Sequence, residues 1–186
     1  MDLEGLTRAF GRAAATRNQM TAAQYFRIAL ELISRAPCRL LVVGAGKDTE
    51  LYTRANAGGR TLVLEGHSKW LETIVGLGAE ALHVSFQSQV NGPALEPCTV
   101  PEGIPPHVLE QSWDVILVDG PEGWRGDLPG RQQSIFLAGQ LARGNTTVFL
   151  HDYERPLERE FAGLYLRAPD EVHGEEPALA VFRYPA

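Results

Sequence analysis

Cysteine is scarce in this chain: 186 residues hold two, Cys38 and Cys98. They form no CxxC pair, so no structural zinc site is indicated. Compartment reasoning favours two free buried thiols, and a disulfide between them stays open because sequence distance does not set spatial distance. Long apolar runs are also missing, so no segment reads as a bilayer-spanning helix, and no membrane partner is expected. The first twenty residues, MDLEGLTRAFGRAAATRNQM, contain no continuous apolar stretch. No secretory leader and a cytoplasmic location are therefore expected. Positive charge is in deficit, with 17 Lys and Arg against 23 Asp and Glu, a net charge of −6. A nucleic-acid partner, which calls for a basic face, is not expected.

What is present suits a globular chain, with 44% hydrophobic and 22% charged residues. The length fits one domain, read as a helical extension over 1–36 and a core over 37–186. Apolar strand-like runs alternate with helix-like segments, which indicates an α/β fold with a mostly parallel sheet. Thr21 caps a helix to Ser34, with Tyr25, Ile28, Ala29 and Leu32 on one face. Strands are expected at Arg39–Val43, Thr61–Leu64, His83–Phe86, Trp113–Val118 and Thr146–Leu150, with a last, antiparallel one at Ala178–Tyr184. Helices are expected at Asp48–Ala57, Ser68–Leu77, His107–Gln111, Arg131–Leu141 and Pro156–Leu164. Five prolines between Asn91 and Pro106 mark an irregular insertion.

Ligands of open α/β sheets bind beyond the carboxyl ends of the strands. Four of the expected strands end in polar punctuation: Gly44-Ala45-Gly46-Lys47-Asp48, then Glu65-Gly66, then Asp119-Gly120, then His151-Asp152. Gly44 and Gly46 allow close backbone approach to a ligand. Glu65 stands nineteen positions after Gly46, the spacing of an acid that binds ribose hydroxyls. The third glycine of GxGxxG is replaced by Thr49, which weakens a dinucleotide reading more than a nucleoside one. S-adenosylmethionine is such a nucleoside, without phosphates. A P-loop is excluded by Leu41 and Asp48, and no GxSxG elbow occurs. Trp70 reads as a core aromatic or as a wall for adenine.

In sequence order, Pro37-Cys38 with LLVVGAGKDT, TLVLEGHSKW, WDVILVDGPEGW, PGRQQSIF and VFLHDYERPLEREF resemble the glucuronoxylan 4-O-methyltransferase and irregular-xylem-type family. The resemblance covers about residues 36–185. It implies a Rossmann-like class I S-adenosylmethionine-dependent methyltransferase fold, with a mostly parallel seven-stranded sheet and helices on both faces. Carried over by position, it places Gly44, Gly46, Asp48 and Glu65 at the cofactor. It likewise implies functional places for Asp119, Arg131 and the His151-Asp152 pair. Cys38 and Cys98 align with family cysteines, which favours the disulfide somewhat. Lys47 stands where the family usually has His, and Gly66 and Gly120 also depart from its pattern. The plant members carry a membrane anchor not seen here, so a compact microbial relative is expected.

The reaction expected is transfer of a methyl group to an oxygen (or nitrogen) of a small-molecule or saccharide acceptor that could carry a carboxylate. His151 is the expected base, oriented by Asp152 or Asp119. These three could instead hold a divalent cation. Arg131 and Lys47 are expected to anchor an acceptor carboxylate, with Tyr25 folding over the pocket. Two alternatives remain. One is alkyl transfer or cyclisation that releases methylthioadenosine. The other is nucleoside binding without catalysis.

Overall fold

A computed structural model describes residues 2–16, 20–44 and 46–186. Two helices come first, α1 (Leu3–Ala14) and α2 (Ala22–Arg35). Asp2 caps α1 through Gly5 N–H. Thr21 and Gln24 close a reciprocal capping box on α2, so two otherwise orphaned N–H groups are satisfied. The rest alternates: β1 (Arg39–Val43), α3 (Thr49–Ala55), β2 (Arg60–Glu65), a 3-10 turn (Ser68–Trp70), α4 (Leu71–Gly76) and β3 (Glu80–His83). After the insertion come α5 (Pro106–Glu110), β4 (Val115–Val118), α6 (Gln132–Leu141), β5 (Thr147–His151), α7 (Pro156–Tyr165), β6 (Glu171–His173) and β7 (Leu179–Arg183). No described helix is long and apolar enough to cross a membrane.

The seven strands lie in the order β3-β2-β1-β4-β5-β7-β6. β7 is antiparallel to β5, and β3 through β5 are parallel. This is the expected Rossmann-like sheet. Its interior strands are apolar on both faces, as helices on both sides require. Leu40 and Val42 of β1 join one buried cluster with Ile28 and Leu32 of α2 and Leu51 of α3. Leu41 and Val43 join the other, with Ile135 of α6 and Phe161 of α7.

Two expectations need correction. The third strand is Glu80–His83, not His83–Phe86. It is the sheet's edge and is only partly buried, so it shows no apolar run. The apolar Val84 and Phe86 follow it and face a cavity instead. The segment after β2 is not one helix: it begins as a 3-10 turn and becomes helical only at Leu71. Both cysteines are free thiols. Cys38 is buried, and burial pushes its thiol up to about 11.

Gln133 of α6 fastens the insertion and the segment leading into it. Its Oε1 accepts from Gln87 N–H (2.6 Å) and Ser88 N–H (3.2 Å). Its Nε2 donates to Gln87 Oε1 (2.7 Å) and Thr99 O (3.1 Å). Neighbouring Gln132 brackets Leu95, accepting from its N–H at 2.9 Å and donating to its carbonyl at 3.0 Å.

Candidate active site

The switch in strand order falls between β1 and β4, where such sheets open a crevice. Backbone bonds continue past the strand ends there. Gly44 N–H donates to Leu64 O, and Asp119 N–H donates to Val43 O, both at 2.9 Å. Three strand ends are thus held side by side. The two loops above them touch through bare backbone. Gly44 has φ +96°, and a Cβ there would lie 2.7 Å from Gly120 Cα. A Cβ on Gly120 would lie 2.6 Å from Gly44 Cα. Neither loop tolerates a side chain at that crossing.

Two cavities open over this edge. The first, of about 310 Å³, is lined by Gly44, Glu65, Gly66, Asp119 and Gly120, with Phe86 and Trp70 among its walls. Glu65 is buried, and its Oε1 accepts from His67 N–H at 2.7 Å. The second, of about 400 Å³, is lined by Gly46, Lys47, Asp48, Arg131, His151 and Asp152. Trp70, Asp119 and Glu122 border both. Eleven of the twelve residues expected at a site therefore surround two adjoining cavities.

Tyr25 is the exception. It is fully buried and lines neither cavity, because its face of α2 packs against the sheet. Its hydroxyl instead reaches Asp48 Oδ2 at 3.3 Å, and Tyr52 reaches the same oxygen at 3.0 Å. Burial, with the facing charge of Asp119, pushes the Asp48 carboxyl up to about 6 despite these bonds.

The second cavity's far wall is a charge cluster. His151 Nδ1 is 2.8 Å from Asp119 Oδ1 and 3.6 Å from Asp152 Oδ1. A proton on Nδ1 makes the shorter contact a hydrogen bond and leaves the lone pair on Nε2. That Nε2 is buried and has no hydrogen-bond partner among the described residues. Asp119 is the more open member, its side chain 23% exposed against 6% for His151. Burial opposes ionisation of Asp119, but His151 and Arg131 outweigh it and hold its carboxyl below the usual range. Asp152 adopts φ +59°, an uncommon backbone state for a residue with a side chain. Arg131 and Arg155 hold it there, at 2.7 Å and 2.9 Å from its Oδ2.

Arg131 differs from expectation. Its side chain is only 5% exposed. The guanidinium bonds to Asp152, to Asp119 (3.4 Å) and to the His151 carbonyl, so it clasps three strand-end groups rather than offering itself to an acceptor. Lys47 is exposed at the rim of the second cavity. Asp119, His151 and Asp152 do bring ligand atoms within 4.8 Å of one another. As arranged they fit a divalent ion poorly: two guanidiniums already occupy Asp152, and His151 Nδ1 already faces Asp119. Sequence reasoning missed Phe86, Arg155 and Trp124. Arg155 lies four residues past His151, within the quoted VFLHDYERPLEREF, and Trp124 is 67% exposed beside the second cavity.

The fold and crevice define a class I methyltransferase architecture. Solved structures agree. An O-methyltransferase, TomG, from Streptomyces achromogenes in complex with SAM superposes with a TM-score of 0.59 at 16% identity, covering 98% of this chain and 90% of that one. An O-methyltransferase from Bacillus cereus in complex with SAH gives 0.56 at 16% identity, covering 97% and 90%. A family model described as IRX15/IRX15L/GXM matches residues 26–96 and 93–179. Glucuronoxylan 4-O-methyltransferase 2 of Arabidopsis thaliana is 36% identical over 73% of this chain and 56% of its own length. Arabinogalactan O-methyltransferase 2 of the same plant is 32% identical, covering 73% and 57%. The chain belongs to the IRX15/IRX15L/GXM family. It spans a little over half the length of these two curated relatives.

Proposed function

We propose that this chain is an S-adenosylmethionine-dependent methyltransferase acting on a hydroxyl of a saccharide or small sugar-like acceptor. The observation that carries the reading is the pair of cavities meeting at Asp119, one walled by Glu65 and the other by His151. The first cavity fits an adenosine. Its Gly44–Gly120 floor would be filled by a single Cβ, Glu65 can take ribose hydroxyls, and Phe86 and Trp70 offer apolar walls to the base. Two similar folds bound to SAM or SAH support this cofactor. When bound, S-adenosylmethionine supplies an electrophilic methyl group on a sulfonium.

The chain's own residues do the rest. Asp119 draws the acceptor hydroxyl towards the junction of the cavities. His151 is the group that takes its proton, and Asp119 and Asp152 flank the resulting positive ring. Arg131 and Arg155 keep both carboxylates in place. Lys47 at the rim suits an acceptor with a carboxylate. Relatives named for glucuronoxylan and arabinogalactan methylation support a saccharide. In the test, His151→Ala lowers methyl transfer by about 10²- to 10⁴-fold, with cofactor affinity nearly intact. Undiminished transfer in that variant would remove His151 as the base.

A further inference from the structure

Asp48 is a buried carboxylate without a cation. It is 4% exposed, and among the described residues no Lys, Arg or His lies within 4.0 Å of it. An ionised carboxylate out of water and without a partner is costly. Asp119 and Asp152 of the same cavity are each paired with arginine.

Asp48 also gives up the usual use of its side chain. It stands at the N-cap of α3 and makes no capping hydrogen bond there, although an Asp at that place ordinarily contributes about 1 kcal/mol by capping. Its Oδ2 turns instead to the hydroxyls of Tyr25 and Tyr52, which come from two different helices. Both bonds fall on the same oxygen. Oδ1 accepts none from any other described residue and lies beside Gly46, where a Cβ would come within 2.5 Å of it. The bare glycine leaves that oxygen uncovered at the wall of the second cavity.

We propose that Asp48 is the seat for the α-ammonium of the cofactor's amino-acid arm, with Tyr25 and Tyr52 as positioning residues that aim its Oδ1 into the cavity. This rests on the S-adenosylmethionine reading. The seat makes the site choose a nucleoside that carries a free amino group. An ammonium supplies the charge the carboxylate lacks, with up to three donors for one open oxygen. Tyr52 touches no ligand in this arrangement and acts through Asp48 alone.

The test is calorimetric titration with three ligands: S-adenosylhomocysteine, its desamino analogue, and methylthioadenosine, which lacks the arm's amino and carboxyl groups. Wild type should bind S-adenosylhomocysteine at least about tenfold tighter than the desamino analogue. In Asp48→Asn that ratio should fall to near one, with methylthioadenosine affinity kept within about twofold. Tyr52→Phe, which removes only a hydroxyl, should lower the ratio by about threefold and leave methylthioadenosine unaffected. It also serves if Asp48→Asn does not fold. An unchanged ratio in either variant, with methylthioadenosine still bound, overturns the seat and leaves the methyltransferase reading intact. No binding of any of the three by folded wild type overturns that reading, and the seat with it.

Discussion

Replacing Gln133 with leucine should loosen the wall of the first cavity without touching a ligand. The side chain is fully buried and makes four hydrogen bonds to Gln87, Ser88 and Thr99, in the segment that leads into the insertion and within it. Leucine is close in size, so no cavity forms, and the cost comes from the abandoned partners. Of these only Ser88 N–H is buried, since Gln87 and Thr99 are exposed and can turn to water. A buried donor left unpaired costs about 1–3 kcal/mol, and each exposed bond about 0.5–1 kcal/mol. The sum is roughly 2.5–6 kcal/mol, a large share of a typical domain's stability. For a chain of this size that lowers Tm by roughly 5–24 °C. Urea unfolding should show a lower midpoint with an unchanged m-value. Hydrogen exchange should speed up most at Gln87 and Ser88, which follow directly on the cavity wall. A loss below about 0.5 kcal/mol, or exchange unchanged in that stretch, would refute the idea that Gln133 fastens the insertion.

Other expectations follow from the same geometry. Gly120→Ala places a methyl 2.6 Å from Gly44 Cα. It should cost about 1–3 kcal/mol by overpacking, measured by urea unfolding, and should weaken nucleoside binding as the loops part. Glu65→Gln should reduce S-adenosylhomocysteine affinity about tenfold, with little change in Tm, and unchanged calorimetry would remove Glu65 from the ribose. Glu171 is held at about 2 by His173, Arg183 and Arg27. Its folded pKa is below the unfolded value, so its contribution is present above about pH 4.5 and is lost as pH falls towards 2. With a third of the side chain exposed, that contribution is about 1 kcal/mol after screening. Glu171→Gln should therefore destabilise the protein at pH 7 and make no difference near pH 2 by urea titration.

The sequence made the frame legible wherever burial leaves a pattern. β1, β4 and β5 are interior parallel strands, so each is a nearly unbroken apolar run that periodicity detects. β3 and β6 are edge strands with mixed exposure; the first was misplaced by three residues and the second went unseen. The strand-end glycines and acids were legible because this sheet class places its ligands there. Partner choice was not. Hydrophobic spacing put Tyr25 on the buried face of α2, yet nothing in that spacing says its hydroxyl meets Asp48 from across the chain. Arg131 looked like a substrate anchor because it opens a helix near the site. Its guanidinium turns inward since two carboxylates and a carbonyl converge there, a fact that exists only once β4 and β5 are side by side.

The most direct measurement is titration of the folded protein with S-adenosylmethionine by calorimetry, followed by mass spectrometry of the mixture with uronate-bearing oligosaccharides. Binding should be saturable, and the mixture should then yield S-adenosylhomocysteine and an acceptor heavier by one methyl in place of hydrogen. Absence of binding would contradict the methyltransferase reading. So would methylthioadenosine as the product, which would mean that the sulfonium is opened at another carbon.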